Sequence, residues 1–246
     1  ASYSKLTAAA LYKTQWVGYD GAPKVGAFNI LKPFKKSSIG LTVVNDQIGI
    51  NNNTAIAGSY AYKLRLRGYS RLAFGVSASV HLLESDFGQV DILDSSDPTY
   101  NGGVSTTSVE PNFEFGTYYY TNKFYLGLAV QNILENKIAI KNEADGVTDF
   151  GVDKIHYYLH SGYGFVLDDK SNINVSALMK HISGASIQYD LNVQYEYDRT
   201  IGLGVSYRSS NEIVGMLSYK FLPGLKWIGR ASCREGGEIW WVAWTS

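Results

Sequence analysis

The chain has 246 residues, with 22 Lys and Arg against 22 Asp and Glu and so a formal net charge of zero, which excludes the basic excess that a nucleic-acid partner demands. Charged residues make up only 18%, below the roughly 25% usual in soluble domains, yet no run of about 18 apolar residues offers a transmembrane helix. A single cysteine, Cys233, excludes a disulfide framework or a cysteine-based zinc site within the chain.

Low charge without a hydrophobic run is what a transmembrane β-barrel gives, because its apolar residues stand at every second position. The 19 Tyr and 25 Gly, against only 5 Pro, suit pleated, half-buried surfaces. Residues Ala1 to Ala10 lack the basic start and apolar core of a signal peptide. A secreted precursor would have lost it, or the chain is a fragment.

Period-two alternation runs along the chain. It predicts strands at 8–17, 24–34, 38–46 and 54–65. The next, 70–82, sets Phe74, Val76, Ala78, Val80 and Leu82 against Ala73, Gly75, Ser77, Ser79 and His81. Strands at 110–120 and 123–132 follow; the second sets Phe124, Leu126, Leu128 and Val130 against Tyr125, Gly127, Ala129 and Gln131. After 153–166 and 171–181 comes the cleanest case, 187–197. There Ile187, Tyr189, Leu191, Val193, Tyr195 and Tyr197 point one way and Gln188, Asp190, Asn192, Gln194 and Glu196 the other. Strands at 200–208 and 212–221 complete about twelve, each of roughly the 9–11 residues that cross a tilted bilayer span. A soluble β-sandwich is the weaker reading, since its strands are shorter, about 5–6 residues. The small and polar second face suits a barrel interior and the bulky face suits lipid.

Connections alternate as well. Lys35-Lys36-Ser37, Arg67-Gly68-Tyr69, Thr121-Asn122, 168–172 and Asp198-Arg199-Thr200 are tight, whereas 47–53, 83–109 and 133–152 are longer; 182–186 and 209–211 break the trend. Short turns at one end and long loops at the other mark an outer-membrane barrel with periplasmic turns. Tyr118, Tyr119 and Tyr120, and Tyr157 and Tyr158, are expected in interfacial aromatic girdles.

Past residue 222 the alternation collapses. Residues 223–246 hold four of the five Trp and the only Cys. They are expected to form an atypical Trp-rich tail outside a barrel domain of residues 1–222. The abrupt change of composition favours a frameshifted or artefactual terminus over an aromatic segment that docks a partner, and no closing strand is evident.

The segment Tyr12-Lys13-Thr14-Gln15-Trp16-Val17-Gly18-Tyr19-Asp20-Gly21-Ala22-Pro23 closely resembles the opening of PorP/SprF proteins, the barrels of the type IX secretion and gliding machinery of Bacteroidetes. Asn45-Asp46-Gln47-Ile48-Gly49, Tyr60-Ala61-Tyr62, Leu72-Ala73-Phe74-Gly75, Asp97-Pro98, Pro111-Asn112-Phe113 and Phe124-Tyr125-Leu126-Gly127 continue the likeness in order, over about residues 8–221. The resemblance implies a non-enzymatic outer-membrane barrel of a Gram-negative bacterium, without cofactor, that assists export or cell-surface attachment of a large secreted protein. It implies secretion-system components and the lipid bilayer as further partners. Relative to the family, the leader and the C-terminal hairpin look replaced or missing, and fourteen strands are expected in an intact barrel.

Direct chemistry adds candidates. His160 and Ser161 are adjacent, so on a strand they face opposite sides and form no catalytic dyad. His156 and His160 share a face with Tyr158 but stand about 13 Å apart along a strand, too far for one metal; interior histidines are the favoured reading. The acidic loop of Glu84, Asp86, Asp91, Asp94 and Asp97 matches no EF-hand spacing and reads as a solvated loop. The loop Gln15, Trp16, Gly18, Asp20, Gly21, Pro23 is a candidate contact site, with a structural turn as the competing reading. Lys35, Lys36, Arg65, Arg67 and Arg71 are a candidate basic patch on the turn rim for an acidic periplasmic partner, against plain solubility or lipid-phosphate contact. Inward residues, mostly Gly, Ser, Ala and Asn, give no obvious charged eyelet, so a passive porin-like channel is the alternative function.

Overall fold

The computed structural model describes residues 5–86, 106–142, 146–222, 225–232 and 239–245. Among the described residues every regular element is a strand. In chain order these are β1 (Thr7–Thr14), β2 (Lys24–Pro33), β3 (Ser37–Ile48), β4 (Asn51–Arg65), β5 (Arg71–Ser85), β6 (Thr106–Tyr120), β7 (Phe124–Gln131), β8 (Lys137–Asn142) and β9 (Gly146–Val152). Then follow β10 (His156–Val166), β11 (Ser171–Ile182), β12 (Gln188–Tyr197), β13 (Ile201–Arg208), β14 (Glu212–Leu222), β15 (Leu225–Ser232) and β16 (Ile239–Thr245). Fourteen of them form a closed antiparallel barrel in which each strand pairs its sequence neighbour, β7 pairs β10, and β1 pairs β16. The remaining two, β8 and β9, make a separate hairpin.

Several sequence expectations change. The connection 133–152 contains the β8–β9 hairpin. The barrel does not stop at 222 either: residues 225–232 pair with β14 as β15, and β16 pairs β15 on one side and β1 on the other. The alternation survives there in a form that composition hides. Lys226 and Arg230 point into the lumen, where Lys226 meets Glu196 and Arg230 joins a cavity wall, while Trp227 and Gly229 face outward. A Cβ on Gly229 would fall within 2.7 Å of the Trp227 ring; the indole covers the space that glycine leaves empty, which is how an aromatic supports a bare strand position.

The outward face is apolar because it meets lipid. Leu191, Val193, Leu203, Val205, Ile213 and Leu217 are each about half exposed, and among the described residues only Ala73 and Val214 are buried apolar side chains. Aromatic pairs mark the turn side of the apolar band: Tyr119 with Phe124 at 6.3 Å between ring centroids, Tyr163 with Phe165 at 4.6 Å and Tyr219 with Phe221 at 4.7 Å. Tyr12, Tyr157, Tyr189 and Tyr207, all exposed, mark the loop side. Of the three consecutive tyrosines only Tyr119 belongs to the girdle. Period-two geometry turns Tyr118 and Tyr120 into the lumen, where Tyr118 stacks on Tyr125 with centroids 5.9 Å apart, and Tyr158 likewise lines the lumen.

Strand lengths are uneven. β4, β5 and β6 have 15 residues each, whereas β7 and β13 have 8. Fifteen residues at about 3.3 Å, tilted by about 40°, rise roughly 38 Å, more than an apolar band of about 25 Å needs. The excess lies on the loop side. There the outward positions become polar: the Asn45 amide donates to Asn52 Oδ1 at 2.7 Å and to Thr54 Oγ1 at 2.9 Å, and Asn52 Nδ2 donates to Glu84 Oε2 at 3.3 Å. Residues 47–53, expected as a longer loop, are strand except for a tight turn at Gly49-Ile50, because this polar ladder continues the pairing above the membrane.

Candidate functional site

The loop 15–23 joins β1 to β2 on the loop rim. Strand β1 ends at Thr14, short of the expected residue 17, because Trp16 takes φ +48°, a left-handed conformation that cannot continue a strand. The loop is held by its own backbone. Gln15 N–H donates to Pro23 O at 3.0 Å, Tyr19 N–H to Trp16 O at 3.1 Å and Ala22 N–H to Tyr19 O at 3.3 Å. It is also tied to the next hairpin: Gly49 N–H donates to Gly21 O at 2.9 Å. Gly21 has φ +71°, and a Cβ there would stand 3.2 Å from Gly49 Cα, so both conformation and close approach require glycine. This fixed frame leaves Trp16 51%, Val17 71% and Tyr19 78% exposed, with Asp20 exposed beside them. Gly18 (φ +101°) has open space around it.

The second loop-rim feature is the base of the connection from β7 to β10. Ile133 N–H donates to Phe113 O at 3.2 Å, Leu134 N–H to Asn112 Oδ1 at 3.3 Å, Asn136 Nδ2 to Pro111 O at 2.6 Å, and Asp153 N–H to Asn136 O at 2.8 Å. Asn112 is 1% exposed. The upper half of β6 thus carries the base of the β8–β9 hairpin.

On the turn rim, Lys35 and Lys36 lie in the β2–β3 turn, Arg65 ends β4, and Arg67 lies in the β4–β5 turn. These turns are neighbours, because Lys63 N–H donates to Lys36 O at 2.6 Å. All four side chains are exposed, and none makes an ion pair among the described residues. Arg71 differs: its guanidinium donates to Ser70 O at 2.9 Å and Gly68 O at 3.3 Å, closing its own turn. Across the rim, Asp168 Oδ1 accepts from Lys170 N–H at 2.8 Å and Ser171 N–H at 2.7 Å. These bonds, that from Lys170 foremost, hold its carboxyl below the usual aspartate range.

The lumen is more charged than the sequence suggested. Arg208 donates to Asp190 Oδ1 at 3.1 Å and to Glu212 Oε2 at 2.8 Å, and Lys226 Nζ to Glu196 Oε1 at 2.7 Å. On the other side Glu110 and Glu114 of β6 point inward, Glu110 being 5% exposed. Each charge occupies an alternate position of its strand, so the signal was present for Asp190, Glu196 and Arg208; their pairing across strands was not. His156 and His160 are interior, as expected. The His160 ring nitrogen lies 3.2 Å from the Tyr125 hydroxyl, and that of His156 lies 3.3 Å from the Tyr158 hydroxyl. Ser161, next to His160, pairs with Leu126 and Ala177 on the outward face. Among the described residues no group of three or more His, Cys, Asp or Glu could hold a metal ion. Of the acidic loop, Asp91, Asp94 and Asp97 lie outside the described residues.

A closed up-and-down barrel with an apolar outer band, aromatic rings at both edges and a polar lumen defines an outer-membrane β-barrel protein. Solved structures agree at the level of fold. The Acinetobacter baumannii outer membrane protein Omp33 is similar with a TM-score of 0.56 at 9% identity, covering 98% of both chains. The TodX deltaS2S3 mutant monoaromatic hydrocarbon channel gives 0.53 at 8% identity, covering 97% of this chain and 88% of the other. The CymD monoaromatic hydrocarbon channel gives 0.50 at 13%, covering 97% and 86%. No curated protein matches the chain. Residues 1–227 match the family described as type IX secretion system membrane protein PorP/SprF, and the chain belongs to that family. It is an outer-membrane component of type IX secretion, and both its family and the porin-like barrels are non-enzymatic kinds of protein.

Proposed function

We propose that the barrel assists the export or cell-surface attachment of a large secreted protein, which it contacts through the loop rim. The observation that carries this reading is the loop 15–23. Backbone hydrogen bonds and the Gly21–Gly49 contact hold it rigid while Trp16, Val17 and Tyr19 stay exposed. Exposed aromatics on a preorganised frame are what a protein interface uses as anchors, since little entropy is lost when they dock. The raised wall of β4–β6 and the hairpin base stitched to it extend the same rim. On the opposite rim, Lys35, Lys36, Arg65 and Arg67 form a basic edge suited to an acidic periplasmic component of the secretion machinery, with Arg71 keeping the turn closed.

Deletion of the gene in its own host, followed by mass spectrometry of the cell-surface proteome, tests the reading. Loss of one or a few large surface proteins, restored on complementation, is the expected result; an unchanged surface proteome refutes it. Reversing the charges of Lys35, Lys36, Arg65 and Arg67 is expected to weaken co-purification of a periplasmic partner, and undiminished recovery removes the basic edge from the proposal.

A further inference from the structure

Strands β6 and β15 are seven places apart around the barrel in either direction, so they are diametrically opposed. Glu114 on β6 lines a lumen cavity of about 380 Å³, and Arg230 on β15 lines a second of about 410 Å³. The two cavities meet at His160, which lines both. Glu114 stands six residues from the end of β6 at Tyr120 and Arg230 five residues from the end of β15 at Leu225. With equal strand tilt both sit roughly 13–15 Å above those strand ends, at one level within the membrane.

The charges near Arg230 are paired: Arg208 with Asp190 and Glu212, Lys226 with Glu196. Glu114 and Arg230 make no hydrogen bond or ion pair among the described residues. Arg230 is exposed and Glu114 part-exposed toward the lumen, so water has access to this level from both walls. The wall around Glu114 combines the small residues Ala73, Gly75, Ser77 and Ala129 with the larger Tyr118 and Tyr158, and still leaves the cavity of about 380 Å³ open. Fourteen strands also fall between the roughly eight whose interior side chains fill and the 16–18 that leave an aqueous channel.

We infer that the lumen is a water-filled passage for small ions and polar solutes, crossed at mid-membrane by a transverse field from Glu114 to Arg230. Fixed opposed charges in such a pore set ion selectivity and orient dipolar solutes. This activity is separate from the contact with a secreted protein, and its failure leaves that reading untouched.

The test is single-channel recording of the purified full chain in a planar bilayer under a KCl gradient. The unaltered protein is expected to conduct. Glu114→Gln is expected to move the reversal potential toward anion preference and Arg230→Gln toward cation preference, with folding of each verified by heat-modifiable migration on gels. A folded parent that does not conduct overturns the inference without recourse to any variant. Conductance whose reversal potential is the same in the parent and both folded variants overturns the transverse field.

Discussion

Replacing Arg208 by alanine removes the one cation shared by two lumen carboxylates. The Arg208 side chain is 36% exposed, Asp190 21% and Glu212 7%. Breaking a fully buried ion pair by deleting one partner costs about 3–5 kcal/mol, because the remaining charge is left without compensation; an exposed pair is worth about 0–1. The geometry here lies between those limits. Glu212 is nearly buried and loses a 2.8 Å partner, while Arg208 itself is part-solvated and Arg230 stands in the same cavity as Asp190. A loss of about 2 kcal/mol follows from that interpolation. With Glu212→Gln in the background, one of the two carboxylates that Arg208 joins is uncharged. The same Arg208→Ala change should then cost only about 1 kcal/mol, giving a coupling of about 1 kcal/mol between neighbours in one network. Reversible urea unfolding in lipid, followed by the tryptophan signal, measures both quantities. A cost below about 0.5 kcal/mol for the single change, in the range of an ordinary surface substitution, would refute the claim that these charges form a structural network.

Gly21→Ala forces a side chain into a left-handed position beside Gly49 Cα. It is expected to weaken the loop locally by about 1–2 kcal/mol, seen as roughly five- to thirty-fold faster hydrogen exchange at the Gly49 amide, with global stability little changed. Asn112→Ala removes the acceptor for Leu134 N–H at 3.3 Å at a cost of about 1 kcal/mol, and should speed limited proteolysis between residues 137 and 152. Asp168 has a lowered carboxyl pKa, so its support of the β10–β11 turn is fully present above the ordinary aspartate range and is lost as pH falls through the lowered value. Exchange of the Ser171 amide should accelerate over that acid window in the parent and be insensitive to pH-linked protection in Asp168→Ala. Gly162→Leu would drive a side chain into the Tyr125 ring, separating Tyr125 from His160; heat-modifiable migration should show loss of the folded form, and full folding would contradict the packing described.

What the sequence disclosed depended on whether a feature is written in one strand or in the relation between strands. The lipid face of β12, with Tyr189, Leu191, Val193 and Tyr195 outward, is local alternation and was legible residue by residue. The raised wall was not: Asn45, Asn52, Thr54 and Glu84 have loop-like composition, and only the cross-strand bonds among them turn them into ladder. The girdle fails for the same reason in reverse, since three adjacent tyrosines look like one cluster until alternation sends Tyr118 and Tyr120 inward. β15 was hidden by Gly229, whose outward space belongs to Trp227 two residues earlier. The candidate loop 15–23 was legible as a motif, but its rigidity comes from Gly49, in a turn 26 residues away from Pro23. The features on which the proposed function rests are thus the non-local ones. A membrane sets the apolar band on every strand of such a barrel alike and so writes it into each of them. The height of the wall, the pairing of lumen charges and the pinning of the loop are particular to this chain and exist only once neighbouring strands are in register.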